Sequence, residues 1–133
     1  MIIAGTGHRP NKVGGYSEEA TQYLKSLAMN NLDGATKVIS GMALGWDTAL
    51  ALAALELNIP LVAAIPFKGQ EKMWPKASQD RFNEILEQAD DIVYVCDKGY
   101  AAWKMQVRNE YMVDKCDVLL ALWDGSEGGT GNC

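Results

Sequence analysis

The chain has 133 residues, 48% of them hydrophobic and 22% charged, which fits one globular domain with a sizeable core rather than a disordered chain. Its formal net charge of −5, with no basic cluster, disfavours double-stranded nucleic acid as the main partner. No apolar run reaches the length of a membrane span, and the three cysteines (Cys96, Cys116, Cys133) match no metal spacing, so a cytoplasmic protein with reduced thiols, no metal and no cofactor is expected.

Ile2-Ile3-Ala4 reads as a short buried strand. It runs into a polar, glycine-rich loop, Gly5-Thr6-Gly7-His8-Arg9-Pro10 and on to Gly15, of the kind that carries ligand contacts in open α/β sheets. Ser17 caps a helix opened by Glu18 and Glu19, with Ala20, Tyr23, Leu24, Leu27 and Ala28 on its apolar face. Lys37-Val38-Ile39-Ser40 is the second strand. The stretch Gly41-Met42-Ala43-Leu44-Gly45-Trp46-Asp47 follows it and leads into an apolar helix that ends before Asn58-Ile59-Pro60. A strand, a glycine turn and a helix N-terminus together suit a bound anion. They suit an ordinary tight connection equally well.

Residues 61–66 form a third strand, apolar throughout, as in a parallel strand covered on both faces. An irregular loop over 67–77 leads to a helix opening at Ser78, with Phe82, Ile85, Leu86 and Ala89 on one face. Residues 91–96 are a fourth strand, 102–115 a fourth helix and 118–123 a fifth strand. A second glycine-rich loop, Asp124-Gly125-Ser126-Glu127-Gly128-Gly129-Thr130-Gly131, comes after it. The alternation predicts an α/β fold: a Rossmann-like three-layer αβα sandwich with a mainly parallel sheet of about five strands. A strand followed by a glycine loop and then the chain end suggests a single domain, residues 1–133, that lacks its final helix.

In a parallel sheet the loops after strands one, two and five share one edge, so three glycine-bearing loops converge there, an arrangement that favours an anionic, nucleotide-like ligand over three structural turns. Candidate contacts are Gly5, Thr6, His8, Arg9, Gly41, Met42, Ala43, Gly45 and Asp47 from the first two loops. Asp124, Gly125, Gly128, Gly129 and Thr130 come from the last. Asp47 orients a ligand hydroxyl or caps its helix. Arg108 bridges a phosphate or pairs with a neighbour such as Glu110. Trp46, Trp74 and Trp103 stack on a base or fill the core. Glu127 is the acid nearest the expected ligand. No nucleophile elbow, phosphate-loop lysine or dinucleotide fingerprint is present.

Five segments together resemble the YpsA-like family of the SLOG superfamily. They are Gly7-His8-Arg9-Pro10, the 40–47 stretch, Ala64-Ile65-Pro66-Phe67, Arg108-Asn109-Glu110-Tyr111-Met112-Val113, and Leu122-Trp123-Asp124-Gly125 with Gly128-Gly129-Thr130. That superfamily includes the "lonely guy" phosphoribohydrolases and the DNA-processing protein A family. The resemblance implies a Rossmann-like domain that binds a nucleotide or ribose-phosphate derivative, with phosphate near Gly128-Gly129-Thr130, and a homodimer. Met105-x-x-Arg108 is similar to the Met-His-x-Arg segment of the phosphoribohydrolases, which implies an active-site role for Arg108. The chain departs from those enzymes at two places. Cys133 stands where their catalytic glutamate falls, and Gln106 stands at the histidine position, leaving Glu127 as the acid that would assist N-glycosidic cleavage. A module binding protein or single-stranded DNA is the third reading.

Overall fold

The computed structural model describes residues 1–7, 18–96 and 101–122; at residues 6, 7, 18, 102, 121 and 122 it describes the backbone only. Strands and helices alternate as β1 (Ile2–Gly7), α1 (Glu18–Met29), β2 (Lys37–Ser40), α2 (Trp46–Glu56) and β3 (Leu61–Ile65). They continue as α3 (Lys76–Gln88), β4 (Asp91–Tyr94), α4 (Ala102–Lys115) and β5 (Val118–Leu122). The five strands pair in parallel in the order β4-β3-β2-β1-β5. The α/β, Rossmann-like architecture read from the sequence is therefore the observed one.

The strand order explains how the layers form. The chain steps in one direction from β1 to β4, so right-handed crossovers put α1, α2 and α3 on one face. It then crosses the sheet to β5 on the far side of β1, which puts α4 on the other face. The larger core lies on the first face. There Ile3, Val38, Leu61, Ala63 and Ile65 meet Leu24 and Ala28 of α1, the apolar side of α2, and Phe82 and Ile85 of α3. On the second face Ala4, Ile39 and Ala64 meet Met112 of α4.

Helix α2 is central to the larger core. It is apolar nearly all round, as a helix enclosed by a sheet and two neighbours must be. Ala49, Ala51, Ala53 and Ala54 are fully buried, and their small side chains let α1 and the sheet approach closely. The helix ends at Asn58, which adopts a left-handed φ of 57° while its N–H bonds to Leu55 O at 3.2 Å.

Two aspartates set strand register by the same device. Asp117, just before β5, accepts from the Ile2 N–H at 2.7 Å and donates its own N–H to Ile2 O at 2.7 Å. Asp90, just before β4, accepts from Leu61 N–H at 2.8 Å and donates to Leu61 O at 2.9 Å. Each satisfies the first exposed donor of a neighbouring strand.

Four boundaries differ from the sequence reading. β1 continues through Gly5, Thr6 and Gly7, where a loop was expected, because these residues pair with β5 at Leu120, Ala121 and Leu122. α3 opens at Lys76 behind Pro75 rather than at Ser78, since proline sets an extended lead-in (φ −55°, ψ 148°) ready for a helix. β3 ends at Ile65 and β4 at Tyr94, each shorter than expected at its C-terminal end.

Candidate functional site

All five strands point their C-terminal ends to one edge, and the 40–47 turn lies there, between β2 and α2. Its geometry is built on short local bonds. Ser40 Oγ donates to Asp47 O at 2.7 Å and accepts from Met42 N at 3.1 Å. Thr48 Oγ1 donates to Ala43 O at 2.8 Å. The chain reverses through Met42 (φ 61°) and Gly45 (φ 84°), the latter in N-cap position. A left-handed φ is costly for methionine, and full burial of its side chain holds it there.

Gly41 is glycine for a different reason. A Cβ at this position would lie 2.6 Å from Arg108 Nη1, 2.7 Å from Arg108 Cζ and 2.8 Å from Asp47 Oδ2. The missing side chain makes room for a buried cation and a buried carboxylate side by side. Asp47 is 5% exposed, and Arg108, reaching in from α4 on the opposite face, is 5% exposed. Arg108 Nη1 donates to Gly41 O and, at 3.5 Å, to Ala64 O; its Nε donates to Asn109 Oδ1 at 3.0 Å. Gln70, from the loop after β3, donates to Gly41 O and Met42 O at 3.4 Å each.

Burial pushes the Asp47 carboxyl up from 3.8 to about 6; the neighbouring Arg108 charge and the Ala43 N–H at 3.4 Å pull the other way without overcoming it. Asp47 is thus neither a helix cap nor free at the surface. It lies inside the first turn of α2, bonded back across the turn, and α2 has no side-chain cap hydrogen bond.

Gly5 also meets a tight contact. A Cβ there would run into the Leu50 side chain and come within 3.1 Å of Trp46 Nε1, so β1 and α2 approach to near contact. Trp46 is 3% exposed, and its Nε1 is the buried side-chain polar atom without a hydrogen-bond partner among the described residues. Trp74 packs edge-on against Phe82 with ring centroids 5.3 Å apart. Trp103 stands exposed at the start of α4, 5.6 Å from the Nζ of Lys104, which also lies 5.9 Å from the Phe67 ring.

The structure therefore brings together Gly41, Met42, Ala43, Gly45, Asp47 and Arg108, with Gly5 on the neighbouring side of α2. Thr6 is described as backbone of β1. His8, Arg9, Asp124, Gly125, Glu127, Gly128, Gly129 and Thr130 lie outside the described residues. Sequence reasoning missed Ser40 and Gln70 as partners of the turn. A serine directly before the glycine was a usable signal, while nothing near Gln70 in the chain announces its bonds 28 and 29 residues back. Among the described residues no group of three or more His, Cys, Asp or Glu side chains is placed to hold a metal ion, and no helix is long and apolar enough to cross a membrane.

Comparison with known proteins agrees with this architecture. The DNA processing protein A (DprA) of Streptococcus pneumoniae shares the fold, with a TM-score of 0.60 at 20% identity over 90% of this chain and 40% of that one. The SPbeta prophage-derived protein YoqJ of Bacillus subtilis is 35% identical over 113 residues, 73% of this chain and 66% of YoqJ. The UPF0398 protein of Bacillus pumilus is 30% identical over 97% of the chain and 76% of its own length. The UPF0398 protein YpsA of Bacillus subtilis is 26% identical over 97% of the chain and 79% of its own. This chain thus spans 66% of YoqJ and 40% of the DprA chain. The YpsA family model, that of the YspA SLOG family, matches residues 3–132, and the chain belongs to that family.

Proposed function

We propose that this domain binds a nucleotide or a nucleotide-derived ribose phosphate at the C-terminal edge of its sheet. The observation that carries the reading is the strand order. The direction of winding reverses between β1 and β5, and open α/β sheets bind ligands in the crevice at such a reversal. The segments that follow β1 and β5 carry His8 and Arg9, and Asp124, Gly125, Glu127, Gly128, Gly129 and Thr130. Glycine N–H groups there suit phosphate oxygens, and Arg9 supplies the matching charge.

In this reading Arg108 is a positioning residue. Its guanidinium points at the carbonyls of Gly41 and Ala64, so it shapes the wall formed by the 40–47 turn. The N-terminus of α2, which has no side-chain cap hydrogen bond among the described residues, lies at the same edge and suits an anion there.

A calorimetric and thermal-shift screen of nucleoside monophosphates, ADP-ribose and ribose 5-phosphate tests the reading. Binding of at least one, weakened by Arg9→Ala, is expected; no binding by any of them overturns it. Free base appearing in the monophosphate mixtures, and lost in Glu127→Gln, would add N-glycosidic cleavage to binding.

A further inference from the structure

We infer that the indole N–H of Trp46 is a ligand-binding donor: it hydrogen-bonds an oxygen of the ribose-phosphate moiety held at this edge. The inference rests on the function proposed above and adds a residue that neither motif nor family resemblance singled out as a hydrogen-bond donor.

Three observations meet at this atom. Trp46 Nε1 is buried and has no acceptor among the described residues. Buried donors without partners are rare, because folding has stripped them of water and returned nothing. Such a group needs an explanation, and a partner that arrives with a ligand is one. Second, Trp46 is the first residue of α2, and that helix has no side-chain cap. The indole N–H and the uncapped first-turn N–H groups are therefore a cluster of donors at one helix end, with no acidic or carbonyl side chain bonded among them in cap position. Third, the N–H lies against β1, close to Gly5, where a Cβ would stand 3.1 Å from it. β1 is one of the two strands that border the reversal of winding, so the donor lies against a strand that borders the proposed ligand crevice.

The chemistry favours an oxygen acceptor with spare lone pairs. An indole N–H only donates, so it discriminates for phosphate, ribose hydroxyl or carboxylate oxygen and against any ligand group that itself only donates. Together with the backbone donors of α2 it suits an anion, which the first turn of the helix also favours electrostatically. Phenylalanine at this position would fill most of the same space and lack the donor.

Nitrogen-15 labelling of the tryptophan indoles tests the inference on the whole chain. The Trp46 signal is assigned by its loss in Trp46→Phe, and the wild-type protein is titrated with AMP and with ribose 5-phosphate. We expect the Trp46 Nε1–H signal to move to lower field as the N–H gains an acceptor. We also expect Trp46→Phe to bind the same probe about tenfold more weakly, equivalent to about 1.4 kcal/mol. If other signals move while that of Trp46 stays, and the affinity of Trp46→Phe matches wild type, this inference falls and the proposed function stands. If no signal moves with either probe, this inference falls, and the proposed function falls with it only if ADP-ribose and the other nucleoside monophosphates also fail to bind. Should Trp46→Phe fail to fold, the assignment passes to through-space contacts from the indole to Leu50, and the shift of the wild-type signal decides alone.

Discussion

Replacing Arg108 by methionine is the sharpest test of how the candidate site is held. Methionine keeps the unbranched stem and much of the volume but removes the guanidinium. Two buried carbonyls, Gly41 O and Ala64 O, then lose a charged donor. Hydrogen bonds to charged groups contribute about 1.5–3 kcal/mol each, less where geometry is stretched as it is to Ala64. Removing the cation also strips Asp47 of the charge that opposes its desolvation. That electrostatic loss has a ceiling. With its carboxyl titrating at about 6, Asp47 can escape at pH 7 by taking up a proton, at a cost of about 1.4 kcal/mol. The sum is a loss of about 3–5 kcal/mol at pH 7, as expected for breaking a buried charge pair. In a domain of this size it lowers Tm by roughly 10–20 °C. At pH 5 Asp47 is already protonated in the wild-type fold, so the same substitution costs about 1 kcal/mol less there. Urea unfolding followed by circular dichroism at both pH values measures the two numbers. A loss below about 1 kcal/mol at both, combined with loss of ligand affinity, would show that the guanidinium is free to meet ligand and that the strut between α4 and the 40–47 turn is misassigned. A larger loss at pH 5 than at pH 7 would refute the coupling of Arg108 to Asp47.

Other substitutions test the same edge and its supports. Gly41→Ala forces a methyl between Arg108 and Asp47 and should cost about 1–3 kcal/mol by overpacking, read by the same denaturant titration. Because the folded Asp47 holds its proton up to about pH 6 and the unfolded one only to 3.8, ionisation of Asp47 works against the fold as pH rises through that window. Wild-type stability relative to Asp47→Asn should therefore fall by about 2.4 kcal/mol from pH 4 to pH 7, and two parallel profiles would show that Asp47 is not buried as described. At the end of α2, Asn58→Gly should stabilise by up to about 1 kcal/mol and Asn58→Val destabilise by at least as much, since φ at 58 is left-handed. A thermal melt of the two variants ranks them.

Much of the architecture was legible because the strands are short apolar runs and the helices between them keep their period. Val38 and Ile39, or the unbroken run from Leu61 to Ile65, leave little choice but buried parallel strands. The end of β1 was not legible. Gly5 and Gly7 carry the composition of a loop, yet both lie in register with β5, and the reason for glycine at position 5 is the side chain of Leu50, 45 residues along the chain. Local composition reports backbone freedom, and here the glycine answers to tertiary crowding instead. The start of α3 was misplaced because serine is the commoner opening signal, although Pro75 served.

The 40–47 turn shows how one motif can be recognised correctly and still be misread atom by atom. Two glycines in such a turn suggest two positions of unusual φ. Only Gly45 has one; the other is taken by Met42, whose buried side chain compensates the strain. Gly41 is instead a vacancy that admits Arg108 from 67 residues away. This changes what the motif does. A turn built on free glycines would be a pliable cradle, while this one is tied at Ser40 to Asp47, at Gly41 to Arg108 and at Met42 to Gln70. Four separate segments, β2, the loop after β3, α2 and α4, are fixed to one another at the edge where the winding of the sheet reverses. A ligand bound beside such a wall meets donors already in place, and it does not have to supply the ordering free energy that a mobile loop would demand. Beside this well-bonded turn the buried Trp46 Nε1 has no acceptor among the described residues, so it is one more donor fixed in place for a ligand oxygen in the proposed reading.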